Sequence, residues 1–177
     1  AVENARENFV TKHCNIIYQG VGTETYIDVK ELQECKVAKI DWSGRIVYVA
    51  LDLSESIDNT SVAIVTTDEE NNILAESYAF IPAGRIVEKS VSEKVNYAEL
   101  AKTKNVIACG DKVIDYAVVE DFILSIEKKM GVQIQAIGYD RWNALSTAQK
   151  LEKKGYNVIE IRQHSSVLHQ PTKLLKE

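Results

Sequence analysis

The 177-residue chain carries 21 basic and 26 acidic side chains, a formal net charge of −5, and 45% of its residues are apolar. This length and composition fit one globular domain that can close its own hydrophobic core. No stretch approaches the roughly eighteen consecutive apolar residues of a transmembrane helix, so we expect no membrane span. The three cysteines are widely spaced and form no Cys-x-x-Cys pair, which argues against a zinc site and a disulfide framework.

The predicted elements change character along the chain. Residues 46–81 contain three apolar, β-rich runs with short polar links, which favours an antiparallel meander. The apolar residues of segment 87–98 then recur at helical spacing, whereas the run 106–108 is too short to classify. Residues 116–162 alternate between helical and strand patterns. The predicted strands are 46–53, 61–67, 73–81, 132–139 and 157–162, and the main predicted helices are 116–130 and 143–154.

These elements predict an α/β fold with a mixed central sheet, in which an antiparallel β-meander is followed by βαβ units and flanked by helices. Residues 1–45 are mixed in pattern, so we interpret them as a linker or arm and expect the compact domain at 46–177. The chain lacks an initiator Met and stops inside a predicted helix. We therefore expect it to be truncated at its C-terminus.

Charge is unevenly distributed along the chain. Residues 1–140 have a net charge of −9, whereas residues 141–177 hold 7 basic and 3 acidic side chains, a net of +4. A basic surface of this kind can follow the phosphate backbone of a nucleic acid. The alternative is a solvated helix face, and the negative charge of the whole chain argues against a free-standing DNA-binding module.

Two carboxylates stand where apolar strands end. Asp52 and Asp140 each follow a run that predicts a buried central strand, where a carboxylate is costly unless paired, hydrogen-bonded or bound to a metal. If the two strands are neighbours, both side chains emerge close together, and such oxygen ligands suit Mg²⁺ or Mn²⁺. Two such ions about 4 Å apart can activate water and stabilise the leaving oxygen of a phosphodiester. The competing interpretation is that each aspartate caps the turn or helix that follows.

Other residues near these strand ends give weaker signals. Glu55 and Asp58 lie in the loop after the first strand and are candidate supporting groups for a metal, although loop acids are usually solvated. His164 follows the last strand and is either a general base, a phosphate contact or a surface imidazole. For Trp142 three surroundings are open: the hydrophobic core, a position beneath the Asp52–Asp140 site, or contact with a partner.

Five short motifs then occur in a fixed order that covers nearly the whole chain. They are residues 6–15, Leu51-Asp52-Leu53-Ser54 with Asp58-Asn59-Thr60-Ser61, Tyr97 through Gly110 with Val113-Ile114-Asp115-Tyr116, Gly138-Tyr139-Asp140-Arg141-Trp142, and His169-Gln170-Pro171-Thr172-Lys173. Each motif is weak by itself, but their order is specific. In these motifs the chain resembles the nuclease part of the large terminase subunit of tailed bacteriophages.

The resemblance implies an RNase H-like fold and a divalent-metal-dependent endonuclease that cuts concatemeric viral double-stranded DNA during packaging. Asp52 and Asp140 would be two of three carboxylate ligands of a two-metal Mg²⁺ or Mn²⁺ site. Nothing here matches the third ligand, which we expect beyond Glu177. An ATPase domain would precede the arm at residues 1–45.

The resemblance also implies partners and a location. The partners would be double-stranded DNA, the terminase small subunit and the portal or procapsid, in the host bacterial cytoplasm, as for a phage or prophage protein. We expect no membrane partner. The basic C-terminal segment would guide DNA, with candidate contacts at Arg141, Lys150, Arg162, His164 and Lys173.

Three alternatives stay open at this point. The chain is another RNase H-like nuclease of the resolvase or integrase type, or a non-catalytic interaction module whose acids are caps. The third alternative is an actin-like nucleotide-binding module with Asp52, Ser54 and Thr60 near phosphate, although the glycines of such a loop are absent. No Gly-x-x-x-x-Gly-Lys-Ser/Thr motif occurs, so this chain is not itself a P-loop ATPase.

Overall fold

The computed structural model describes residues 26–54 and 58–176, which fall into two compact units. The larger unit lies within residues 39–171, and the smaller comprises residues 26–38 with 172–176. In the smaller unit, helix α1 (Val29–Glu34) begins at Asp28, whose carboxylate accepts a hydrogen bond from the Lys30 N–H at 2.7 Å. The boundary between an arm at 1–45 and a domain from residue 46 stays a prediction.

The larger unit is built on a six-stranded mixed sheet. Its strands are β1 Ile46–Asp52, β2 Thr60–Thr67, β3 Ile73–Pro82, β4 Val106–Cys109, β5 Gln133–Tyr139 and β6 Val158–Glu160. The order across the sheet is β4-β3-β2-β1-β5-β6. Strands β1, β2 and β3 pair antiparallel, whereas β4 joins β3, β5 joins β1 and β6 joins β5 in parallel. The predicted mixed sheet, a meander followed by βαβ units, is confirmed.

Five further helices connect or follow the strands. They are α2 Ile86–Glu93, α3 Tyr97–Leu100, α4 Tyr116–Met130, α5 Arg141–Lys153 and α6 Ser165–Lys176. Helix α4 has the predicted bounds because both ends carry local signals: Asp115 Oδ1 accepts from the Ala117 N–H at 2.9 Å, and Gly131 closes the helix in the left-handed conformation at φ 68°. No helix in the described ranges is both long and apolar enough to cross a membrane.

The alternation of β1 determines which face of the sheet carries the polar strand ends. Val47, Val49 and Leu51 are buried and join one core with side chains of α4 and α5, such as Ile123 and Leu151. Each large aliphatic side chain buried in this way contributes about 1.5–3 kcal/mol. The intervening residues of β1, Asp52 included, point to the opposite face and are exposed.

Candidate active site

The register of β1 and β5 places the two strand-end aspartates side by side. Val49 pairs with Ile137 and Leu51 with Tyr139 in this parallel ladder, so the next residues of the two strands are Asp52 and Asp140. Both strands lie inside the sheet, because β2 flanks β1 on the other side and β6 flanks β5. The expectation that these two strands are neighbouring and central is confirmed.

Both aspartates line one cleft of about 140 Å³ on the exposed face of the sheet. Asp52 is exposed and Asp140 half-buried, so water and ions reach both carboxylates. Part of the lining is small, and the Ile161 side chain packs over Gly138. The lining residues are Ala50, Leu51, Asp52, Ser61, Ala63, Gly138, Tyr139, Asp140, Ile161 and Gln163.

The geometry at Asp140 does not favour the capping interpretation. Asp140 occupies the position before α5, but its side chain makes no capping hydrogen bond. The first turn is also not helical, since Trp142 has ψ 125° and Asn143 has φ 60°. Among the described contacts, neither the Asp52 nor the Asp140 carboxylate has a hydrogen-bond or ion-pair partner. Both sets of carboxylate oxygens are therefore available to a ligand.

The donor set of this cleft fits a hard divalent cation. Two neighbouring carboxylates repel each other, and Mg²⁺ or Mn²⁺ prefers oxygen ligands of this kind. Within the part of the chain that the structure describes, no group of three or more His, Cys, Asp or Glu side chains could hold a metal ion. The described site thus offers two carboxylates, and a third carboxylate ligand stays a prediction.

The two loop acids differ in what the structure shows. Glu55 lies outside the described residues. Asp58 is exposed just before β2 and does not line the cleft. Their assignment as supporting groups stays a prediction.

The five candidate DNA contacts have different surroundings. Arg141 is exposed and has no ion-pair partner among the residues described. Lys150 Nζ is held by both carboxylate oxygens of Glu120 at 3.0 and 3.1 Å. The side chain of Arg162 is 82% exposed and lies 4.0 Å from the Glu160 carboxylate. Arg141 and Arg162 are therefore freer to meet a phosphate than Lys150.

The other two candidates lie in or near α6. His164 Nδ1 accepts a hydrogen bond from the Ser166 N–H at 3.2 Å and lies 2.8 Å from the Ser166 hydroxyl, so the imidazole caps the start of α6. Lys173 belongs to the smaller compact unit. The role of both residues in binding DNA stays a prediction.

Sequence reasoning missed several features of the cleft. Ser61 lies opposite Asp52 in the antiparallel ladder, and Gln163 lies three residues past the end of β6. The predicted strand 157–162 ends directly before Gln163, so the strand-end position that singled out Asp140 would also have identified Gln163. Of the three surroundings considered for Trp142, packing in the core is wrong, because its side chain is 79% exposed.

A partly buried polar network contacts Asn59, the residue that precedes β2. Asn59 Nδ2 donates to the Tyr97 hydroxyl at 3.0 Å, and that hydroxyl donates to Glu93, which also holds buried Lys89 at 2.6 Å. Hydrogen bonds from Lys89 and Tyr97 lower the pKa of Glu93. Burial and then the Glu93 hydrogen bond raise the pKa of Tyr97. The network links α2 and α3 to the residue that precedes β2.

Comparisons with known proteins agree with this architecture. The bacteriophage HK97 large terminase, a solved crystal structure, superposes with a TM-score of 0.75 at 18% sequence identity. The match covers 99% of this chain and 37% of that chain, so this chain spans little more than a third of the HK97 protein. The likeness confirms the RNase H-like fold expected for a terminase nuclease. A search of curated proteins found no match.

A family match extends over the full length of the chain. Residues 1–177 match the family described as "Terminase large subunit, endonuclease domain". The order of short motifs, the mixed sheet and the paired strand-end aspartates are all consistent with that match. The chain therefore belongs to the family of terminase large subunit endonuclease domains.

Proposed function

We propose that this chain is a divalent-metal-dependent endonuclease domain that cuts concatemeric viral double-stranded DNA during packaging. The observation that carries the proposal is the parallel pairing of β1 with β5, which brings Asp52 and Asp140 to one cleft. Family membership supports the nuclease activity, and the donor chemistry of the cleft supports the metal dependence.

Asp52 and Asp140 would hold the metal. When bound, Mg²⁺ or Mn²⁺ supplies an activated water and stabilises the charge that develops on the phosphate. The chain itself fixes the position of the metal site, because the parallel pairing of β1 with β5 holds both carboxylates at the same end of two neighbouring strands. The Ser61 and Gln163 side chains line the same cleft and can hydrogen-bond water or phosphate oxygens there.

DNA would approach from the exposed face of the sheet. Arg141 adjoins Asp140 in sequence, and Arg162 adjoins Gln163 of the cleft lining, so both arginines belong to backbone segments that border the cleft. Their charge would offset the repulsion between the DNA phosphates and the acidic chain. The terminase small subunit and the portal or procapsid are proposed as partners on family membership alone.

The test is cleavage of duplex DNA by the purified full-length protein, which includes the region expected to hold the third carboxylate, with Mg²⁺, with Mn²⁺ and with a chelator. We expect cleavage that requires the metal and is lost in Asp52→Asn and Asp140→Asn. Because a lost metal ligand removes several kcal/mol of transition-state stabilisation, the rate should fall at least about 1,000-fold. The matched control is Asp121→Asn, which removes an exposed charge from α4 and should cut like the wild type.

Two results would contradict the proposal. One is cleavage by either cleft variant within a few-fold of the wild-type rate. The other is metal-dependent cleavage confined to four-way junctions, which would favour an RNase H-like resolvase instead. Circular dichroism of each variant would show that the fold is retained.

A further inference from the structure

The two tryptophans of the chain have opposite surroundings. Trp42 is 8% exposed and belongs to the hydrophobic core, whereas Trp142 is 79% exposed. Tryptophan carries the largest apolar surface of any side chain and is usually well buried. An exposed tryptophan two residues after a proposed catalytic aspartate therefore calls for a functional explanation.

The non-helical first residues of α5 hold Trp142 outward. Asp140 is extended at ψ 139°, Trp142 has ψ 125° and Asn143 has φ 60°, a left-handed conformation that costs energy in any residue except glycine. Asn143 Nδ2 lies 3.5 Å from the Leu53 carbonyl, next to the end of β1. Ala144, which follows, is fully buried. The exposure of Trp142 is thus part of an ordered turn between the two aspartate-bearing strand ends.

The short chain separation of Trp142 from Asp140 suits a base near the scissile phosphate. Two residues of chain span at most about 7 Å, and successive bases of a strand are about 3.4 Å apart along the helix axis. The neighbours of Trp142 are exposed and polar: Arg141 on one side and Asn143 on the other. An aromatic ring beside a basic side chain is the arrangement by which proteins stack a base while holding its phosphate.

We propose that Trp142 stacks on a base of the DNA next to the cleaved phosphodiester, with Arg141 at the adjoining phosphate. This inference rests on the proposed nuclease function. The contact would hold one strand locally unstacked above the Asp52–Asp140 cleft. Trp142 would therefore act on DNA binding and positioning, with no part in holding the metal.

Tryptophan fluorescence tests the contact directly. Trp42→Phe leaves Trp142 as the single tryptophan, and a short duplex is titrated in Ca²⁺ to limit cleavage. Base stacking should quench most of the remaining emission. In Trp142→Phe, which keeps the core intact, the buried Trp42 should report little or no change, so quenching seen in the wild type but not in this variant is assigned to Trp142.

Binding and cleavage by variants provide the second readout. Stacking on one base of a single strand contributes about 1–3 kcal/mol, and unstacking a duplex step offsets part of this gain. Trp142→Ala should therefore bind duplex DNA at least roughly 5-fold more weakly, and Trp142→Phe should recover much of the affinity. The control is Val87→Ala, which shortens an equally exposed apolar side chain on α2 and should bind normally. Thermal stability and the metal concentration for half-maximal cleavage should be unchanged in Trp142→Ala.

The outcomes separate this inference from the proposed function. An active wild-type nuclease with unquenched Trp142, or a Trp142→Ala variant that binds DNA within about twofold of the wild type, would overturn the stacking contact alone. Quenching of Trp142 by DNA in a protein that cuts nothing in any metal would support the contact and overturn the nuclease proposal. Quenching by a protein partner with none by DNA would assign Trp142 to a protein interface and also overturn the inference.

Discussion

The Thr60 hydroxyl bridges both backbone polar groups of Ser54. It accepts a hydrogen bond from the Ser54 N–H at 3.0 Å and donates to the Ser54 carbonyl at 3.1 Å, and Thr60 is fully buried. Ser54 follows Asp52 by two residues, so this contact ties the end of β1 to the start of β2 beside the proposed metal site.

Thr60→Val should therefore destabilise the protein. Valine has the same shape but leaves the Ser54 N–H and carbonyl without the hydroxyl, and unpaired buried groups of this kind cost about 1–3 kcal/mol. Thr60→Ser keeps the hydroxyl and should recover most of the loss. Urea denaturation of the three proteins measures the effect, and a valine variant as stable as the wild type would show that the bridge is unimportant.

Glu55→Gln and Asp58→Asn test the two loop acids. If they orient groups around the metal, each change should lower the cleavage rate about 10- to 100-fold and raise the metal concentration needed for half-maximal activity. A loss as large as that of Asp52→Asn would instead make the mutated acid a direct ligand. Wild-type rate and metal dependence in both variants would remove these acids from the site.

The basic side chains should contribute unequally to DNA binding. Arg141→Ala should weaken binding and lower the slope of log K against log salt by about 0.9, the value for one lost phosphate contact on duplex DNA. Lys150→Ala is the matched control, since Glu120 already holds the Lys150 ammonium group. Salt titrations of both variants measure the affinity for DNA and the salt slope. An equal loss of affinity and slope in Arg141→Ala and Lys150→Ala would contradict the prediction that Arg141 contributes more than Lys150.

The buried Tyr78 hydroxyl should make stability fall at alkaline pH. Burial, and then the charge and hydrogen bond of Glu76, raise the pKa of Tyr78 to about 12. A tyrosine in the unfolded chain ionises near pH 10. Between about pH 10 and pH 12 the unfolded chain has lost the Tyr78 proton while the folded chain still holds it. The stabilisation from Tyr78 is therefore complete below about pH 10 and is lost as the pH rises toward 12.

Tyr78→Phe isolates this contribution. The wild type should lose about 2–3 kcal/mol more than the variant between pH 9 and pH 12, given about 1.4 kcal/mol per pH unit of pKa difference. Tyr97 and Tyr156, whose pKa values are also raised, are present in both proteins and cancel in the comparison. Denaturation at each pH measures the difference, and parallel pH profiles would contradict the prediction.

Sequence patterns predicted the elements that carry strong local signals. Strands β1 to β3 alternate or run continuously in apolar residues, and α4 has an Asp115 cap and a Gly131 stop. The four residues of strand β4 give no period that would predict it, and the strand forms by parallel pairing with β3 at the edge of the sheet. Short strands of this kind depend on tertiary contacts.

The sequence predicts which aspartates form the candidate site, but not how close together they lie or how their neighbours are exposed. Asp52 and Asp140 stand out because each ends an apolar strand, whereas their proximity depends on β5 pairing with β1 across 80 residues of intervening chain. The exposure of Trp142 could not be predicted either. It results from the left-handed Asn143 and the non-helical start of α5, which are set by packing around Ala144 and contact with Leu53.

The central claim is that Asp52 and Asp140 together hold a divalent metal, and the most direct measurement is a crystal soaked in MnCl₂. Anomalous scattering should show manganese within about 2.3 Å of an oxygen of each carboxylate, and the peak should vanish in Asp52→Asn Asp140→Asn crystals. A soaked crystal with no manganese in the cleft, or with manganese bound only elsewhere, would contradict the account.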